Sequence, residues 1–132
     1  MAEPKQSLTG VWQGLYSYPA FREPVYFVAT LIQSGAMLSG SMQEAEVGRN
    51  GAPLTLFAYL SGAKTENAVT FAKTYDGSGG WDHAVHYDGM LNGDATEIEG
   101  RWEIRNDWSG RFLMIRSPGA TEAVARRKFQ TV

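Results

Sequence analysis

Alternation of apolar and charged residues constrains the fold of this chain more than any other feature of its sequence. In the segment EIEGRWEIR, one set of alternate positions holds only apolar residues or glycine: Ile98, Gly100, Trp102 and Ile104. The positions between them are all charged. Because successive side chains of a strand point to opposite faces, this pattern predicts a strand with one buried and one solvated face. The next apolar run, Trp108–Arg116, predicts the second strand of a β-hairpin.

Six further alternating runs precede this hairpin, separated by clusters of Gly, Pro, Asn or Ser: Leu8–Tyr18, Val25–Gln33, Met37–Glu46, Leu54–Ala63, Ala68–Tyr75 and His83–Asn92. Eight regularly spaced strands are typical of an all-β sandwich or barrel. Glycine recurs on the apolar faces, as in LTGVW and IEGRW, and within a strand it usually permits a sharp bend or a bulky neighbour. We therefore predict an eight-stranded antiparallel up-and-down β-barrel, with a short C-terminal helix at Thr121–Phe129.

Length and composition narrow the class of protein further. The 132 residues fit one domain, 1–132, and the absence of cysteine excludes disulfides and thiolate metal sites. A formal charge of −2 lacks the basic surplus that attracts nucleic acid or an anionic membrane surface. The sequence has neither a recognisable signal peptide nor an apolar run of the roughly 20 residues that span a bilayer. We expect a cytoplasmic protein that binds neither nucleic acid nor membrane.

Two features of the predicted barrel resemble those of the calycin group of proteins, which includes lipocalins, fatty-acid-binding proteins and avidins. Gly10-Val11-Trp12 matches the G-x-W of the first strand in such barrels, and Arg116 matches a basic residue on the last. The resemblance implies that Arg116 packs across Trp12 where the barrel closes, so both residues are structural. Avidins are nearest in length and in the opening LTGVW. The chain lacks their polar series on the early strands and an aspartate on the last strand, so biotin is not expected.

The phase of the alternation also predicts which polar side chains point inward. Six residues share a face with buried apolar neighbours and are the candidate ligand-binding residues: Tyr16, Glu44, Lys73, Tyr75, His83 and Tyr87. Polar groups in a barrel mouth commonly orient a ligand. The sequence therefore predicts a binding protein for a small apolar or aromatic molecule with one polar end, and no catalytic residue is assigned.

Each candidate also has an ordinary structural explanation. Glu44 and Lys73 could lie at strand ends and extend to water, and the tyrosines could fill a core with their hydroxyls bonded to backbone. His83 could be a partly exposed residue at a loop end. His83 and His86 lie three apart, on opposite faces of a strand, so we expect no metal site and no haem or other cofactor.

Two alternatives to a binding protein stay open. A cavity enzyme would use Glu44, Lys73 and His83 as acid–base groups, although the chain has no cysteine and no G-x-S-x-G nucleophile motif. An interaction or inhibitor module would act through exposed loops at Glu46–Pro53 and Tyr18–Pro24. The oligomeric state is also open, with a homo-oligomer among the alternatives.

Overall fold

The computed structural model describes residues 7–19, 23–47, 50–77, 83–104 and 108–116. Eight strands follow one another along the chain: β1 Gly10–Ser17, β2 Val25–Ser34, β3 Met37–Val47, β4 Pro53–Thr65, β5 Ala68–Tyr75, β6 Ala84–Leu91, β7 Glu97–Glu103 and β8 Ser109–Arg116. Each strand pairs antiparallel with the next, and β8 pairs with β1, so the sheet closes. This confirms the predicted eight-stranded up-and-down barrel.

The described residues contain no helix, and so none long and apolar enough to cross a membrane. The short helix predicted at Thr121–Phe129 lies outside the described residues.

The barrel has two ends, named here by the connections that they carry. The upper end carries the connections 18–24, 48–52, 76–83 and 104–108, and the lower end carries 35–36, 66–67 and 92–96. Between them, side chains alternate between the buried interior and the outer surface, most regularly on β2 and β6. Sequence periodicity therefore translates directly into inward and outward faces.

Glycine is required where neighbouring strands approach one another closely. A Cβ at Gly100 on β7 would lie 1.9 Å from the backbone oxygen of Asp88 on β6. A Cβ at Gly110 on β8 would lie 2.0 Å from the backbone oxygen of Ser17 on β1. No side chain fits at such distances, so these glycines let the sheet coil tightly enough to close.

Trp12 and Arg116 hold the lower end of the barrel together. They are register partners across the β1–β8 seam, and the Arg116 guanidinium lies 5.3 Å from the centre of the Trp12 ring. Arg116 also donates hydrogen bonds of 2.7 Å to the carbonyls of Ser7 and Thr9. The Trp12 indole nitrogen donates to the Leu8 carbonyl at 3.0 Å, and Leu8 is fully buried. The segment before β1 is thereby fastened across the lower end.

We expect Arg116→Ala to destabilise the barrel by roughly 2–3 kcal/mol, because it removes charge-assisted hydrogen bonds and a cation–π contact. Arg111→Ala is the matched control on the same strand. Arg111 is exposed and lies directly opposite Arg101, so its removal relieves a like-charge pair. Urea unfolding measures the free energy of unfolding of both variants. Equal losses of stability in the two variants would contradict the assigned role of Arg116.

Candidate functional site

Five of the six predicted site residues meet inside the barrel toward its upper end. Tyr16 comes from β1, Glu44 from β3, Lys73 and Tyr75 from β5, and Tyr87 from β6. All five are buried, and Glu44 and Lys73 are each only 1% exposed. The alternative in which Glu44 and Lys73 extend to water is therefore wrong, because the two side chains turn inward and pair with each other. These five residues are called the polar cluster below.

The Glu44 carboxylate is the centre of the polar cluster. Its Oε1 accepts a hydrogen bond of 2.8 Å from the Tyr16 hydroxyl, and the Tyr75 hydroxyl donates to both carboxylate oxygens at 2.9 and 3.0 Å. Lys73 Nζ donates to Oε2 and forms an ion pair with it. The Tyr16 and Tyr75 hydroxyls are thus bonded to a carboxylate rather than to backbone. Such charge-assisted bonds are among the stronger ones in proteins.

Lys73 is held in an aromatic enclosure. Its Nζ lies 4.7 Å from the centre of the Tyr16 ring, 4.5 Å from that of Tyr75 and 5.3 Å from that of Tyr87. The ammonium has three donors, and within the described residues its only hydrogen-bond acceptor is Glu44. Burial lowers the pKa of Lys73 below its ordinary value, although the neighbouring Glu44 carboxylate partly opposes this effect.

Tyr87 has a buried hydroxyl with no hydrogen-bond partner among the described residues. Its ring is fixed by Phe71, stacked at 4.8 Å, and by Phe112, edge-on at 5.0 Å. Buried hydroxyls are normally paired, and an unpaired one costs free energy. The Tyr87 hydroxyl and the remaining Lys73 donors therefore give the interior an unused capacity to donate hydrogen bonds.

Burial also shifts the pKa values of the tyrosines in the polar cluster. Desolvation raises the pKa of Tyr16, Tyr75 and Tyr87 well above the ordinary phenol value, and the nearby Glu44 charge raises each further. All three phenols are therefore neutral hydrogen-bond donors throughout the physiological range.

The sixth predicted residue, His83, lies at the rim of the upper end. It precedes β6, is half-buried, and its ring lies 5.0 Å from the Tyr75 ring. His86 is exposed on the outer face of β6. No group of three or more potential metal ligands occurs among the described residues.

An aromatic path connects the polar cluster to the surface. Trp108, 43% exposed, lies 5.4 Å from the half-buried Tyr18, and Tyr18 lies 5.8 Å from Tyr16. Trp102 packs against both tyrosines at 5.8 and 5.5 Å. Tyr18, Trp102 and Trp108 were not among the candidate residues. Tyr18 shares the alternation phase of Tyr16, and this signal could have identified it.

Two grooves in the described part of the barrel lie on its outer wall. One crosses β8, β1, β2 and β3 and is lined by outward side chains that include Leu15, Tyr26 and Ile115. The other crosses β4, β5 and β6 beside Thr70 and His86. Glu44 also lines the first groove and Tyr87 the second, whereas Tyr16, Lys73 and Tyr75 line neither. All five side chains are buried, so the polar cluster lies inside the barrel, behind the walls that carry these grooves.

Comparison with known proteins gives no family assignment. No protein-family model matches the chain, and no match is found among curated proteins. A solved structure similar to this barrel is a de novo designed fluorescence-activating β-barrel. It is 10% identical in sequence, with a TM-score of 0.49, and the match covers 88% of this chain and 99% of that one.

We expect Glu44→Gln to destabilise the barrel by about 3–5 kcal/mol, because it leaves the buried Lys73 charge without its partner. The double variant Glu44→Gln/Lys73→Met removes both charges, and the glutamine oxygen still accepts from Tyr16 and Tyr75. The double variant should lose clearly less stability than Glu44→Gln alone. Urea unfolding of the wild type, both single variants and the double variant gives the coupling energy; additive losses would contradict a coupled ion pair.

Alkaline titration should reveal the buried phenols. The unfolded chain releases phenolic protons near pH 10, whereas the native barrel retains those of Tyr16, Tyr75 and Tyr87 because their pKa values are raised. The stability that these three phenols contribute is therefore fully present below pH 10, and it is lost as the pH rises above 10. Absorbance of tyrosinate should show at least three of the six tyrosines ionising only when the protein unfolds. Ionisation of all six in the native state would contradict this.

Proposed function

We propose that the protein binds a small apolar or aromatic molecule carrying one oxygen acceptor, at the polar cluster toward the upper end of the barrel. The observation that carries this proposal is the unused donor capacity of Lys73 and Tyr87 in a buried aromatic interior. Both groups donate, so an acceptor oxygen is the complementary ligand atom. The surrounding rings suit an apolar remainder.

The energetics of the ion pair support a functional role. A buried ion pair is often no more stabilising than apolar residues of the same volume, because desolvating two charges is costly. The Glu44–Lys73 pair is therefore a poor means of stabilising a barrel whose interior is otherwise almost entirely apolar. Orientation of a ligand's polar end explains why such residues are present.

The position of the polar cluster supports entry from the upper end. At the lower end, the barrel is closed by the buried side chains of Leu8 and Trp12 and by hydrogen bonds from Arg116 to backbone carbonyls. Toward the upper end, Trp108 and Tyr18 lead from solvent to Tyr16. The contact between Trp12 and Arg116 also supports a place for the chain in the calycin group.

A thermal-shift screen of the purified protein tests this proposal. Aromatic molecules with one carbonyl, carboxylate or phenolic oxygen should raise the melting temperature, and matched hydrocarbons without the oxygen should do so less. Glu44→Gln/Lys73→Met is the control that keeps the interior filled. We expect this variant to weaken binding about tenfold or more, as the loss of a hydrogen bond to a charged donor implies.

Calorimetric titration of the best compound gives the dissociation constants for the wild type and the double variant. If no compound raises the melting temperature, or if both proteins bind with equal affinity, the proposed function is wrong.

A further inference from the structure

We propose that Lys73 captures an apolar aldehyde by forming an imine through Nζ, with Glu44 as proton acceptor and counter-ion. This inference rests on the proposed function and names the ligand class for the same site. It follows from the surroundings of Lys73, which combine an amine, a carboxylate and three aromatic rings in a water-poor interior.

The carboxylate is placed to handle the protons of this reaction. Glu44 Oε2 accepts a hydrogen bond from Lys73 Nζ, so the ammonium proton can pass to Glu44 directly. The neutral amine then attacks the carbonyl carbon of the aldehyde: the C–N bond forms as the C=O π bond breaks, and a proton passes from the attacking nitrogen to the oxygen, which gives a neutral carbinolamine. The protonated Glu44 carboxyl returns the proton to the carbinolamine hydroxyl, which leaves as water. An aldehyde and the protonated lysine thus give a protonated imine and water, without an oxidant or reductant.

Burial favours both the attack and its product. The lowered pKa of Lys73 increases the fraction of neutral, nucleophilic amine. After condensation, the iminium nitrogen keeps one proton and one positive charge opposite Glu44, so the ion pair survives. The tyrosine rings that face the ammonium face the iminium as well. Exclusion of water also slows hydrolysis of the imine.

The neighbouring donors fit a carbonyl ligand. The Tyr87 hydroxyl is buried without a partner in the described part of the barrel, and its ring lies near Lys73 Nζ. A hydroxyl there can donate to the aldehyde oxygen before the attack and polarise the carbonyl. Phe71 and Phe112 hold the Tyr87 ring, and they provide apolar surface beside it.

Reductive trapping tests the inference on the full-length protein. The purified protein is incubated with trans-cinnamaldehyde and sodium cyanoborohydride, and intact mass and peptide mapping locate the secondary amine that forms. The chain has four lysines: Lys5, Lys64, Lys73 and Lys128. We expect Lys73 to be labelled at least about tenfold faster than Lys64, because Lys73 has a proton acceptor, the Glu44 carboxylate, hydrogen-bonded to its amine.

Two variants separate the role of Lys73 from general amine chemistry. Lys73→Arg keeps the positive charge beside Glu44 but cannot form an imine, so it should lose the fast labelling. Lys64→Arg, at the end of β4, should retain it. Circular dichroism confirms that each variant is folded. Labelling of Lys73 at the rate of Lys64 or slower overturns the inference.

Cinnamyl alcohol distinguishes failure of this inference from failure of the proposed function. The alcohol has the same apolar skeleton and an oxygen acceptor, but it has no carbonyl carbon. If the alcohol raises the melting temperature and Lys73 is not selectively trapped by the aldehyde, the binding proposal stands and the imine is overturned. If neither compound raises the melting temperature and Lys73 is not trapped, the imine is overturned and the binding proposal loses its support for this ligand.

Discussion

Closure of the sheet between β1 and β8 is the constraint on which both the fold and the polar cluster depend. In an open sheet, β1 and β5 would be four strands apart, about 19 Å at the usual spacing. The ring of eight strands instead brings Tyr16 and Lys73 to opposite sides of one carboxylate, Glu44. Close strand approaches at Gly100 and Gly110 make this curvature attainable. The glycines therefore contribute to the site without touching it.

The polar cluster is costly to bury in an otherwise apolar interior. Transfer of the Glu44 and Lys73 charges from water costs several kcal/mol for each ion, and their attraction must offset this cost. The hydroxyls of Tyr16 and Tyr75 reduce the cost further by satisfying the carboxylate. The Tyr87 hydroxyl does not take part in this network. Among the described residues, the hydrogen-bond acceptors of the cluster are thus well satisfied and its donors incompletely satisfied.

Alternation in the sequence was sufficient to predict the strands, the closed barrel and the inward direction of Glu44 and Lys73. It could not predict their depth, because a long side chain near a strand end can either extend to water or stay inside. That outcome depends on contacts between β1, β3 and β5, which are not neighbours in the sheet. No pairing rule in the sequence relates such strands. The contact between Tyr18 and Trp108 was missed for a different reason: both residues lie just outside the paired strands β1 and β8, where strand pairing no longer fixes the positions of the rings.

The chemistry of the interior constrains both halves of the ligand that we propose. The unsatisfied groups at Lys73 and Tyr87 are donors, so the complementary polar atom is an acceptor, whereas a ligand ammonium would meet the positive charge of Lys73. The walls around them are rings such as Phe71 and Phe112, which favour an apolar body. Because Trp12 and Arg116 close the lower end, the apolar body must extend toward the rim near Tyr18. A ligand with its oxygen inward and its apolar part outward satisfies all three conditions.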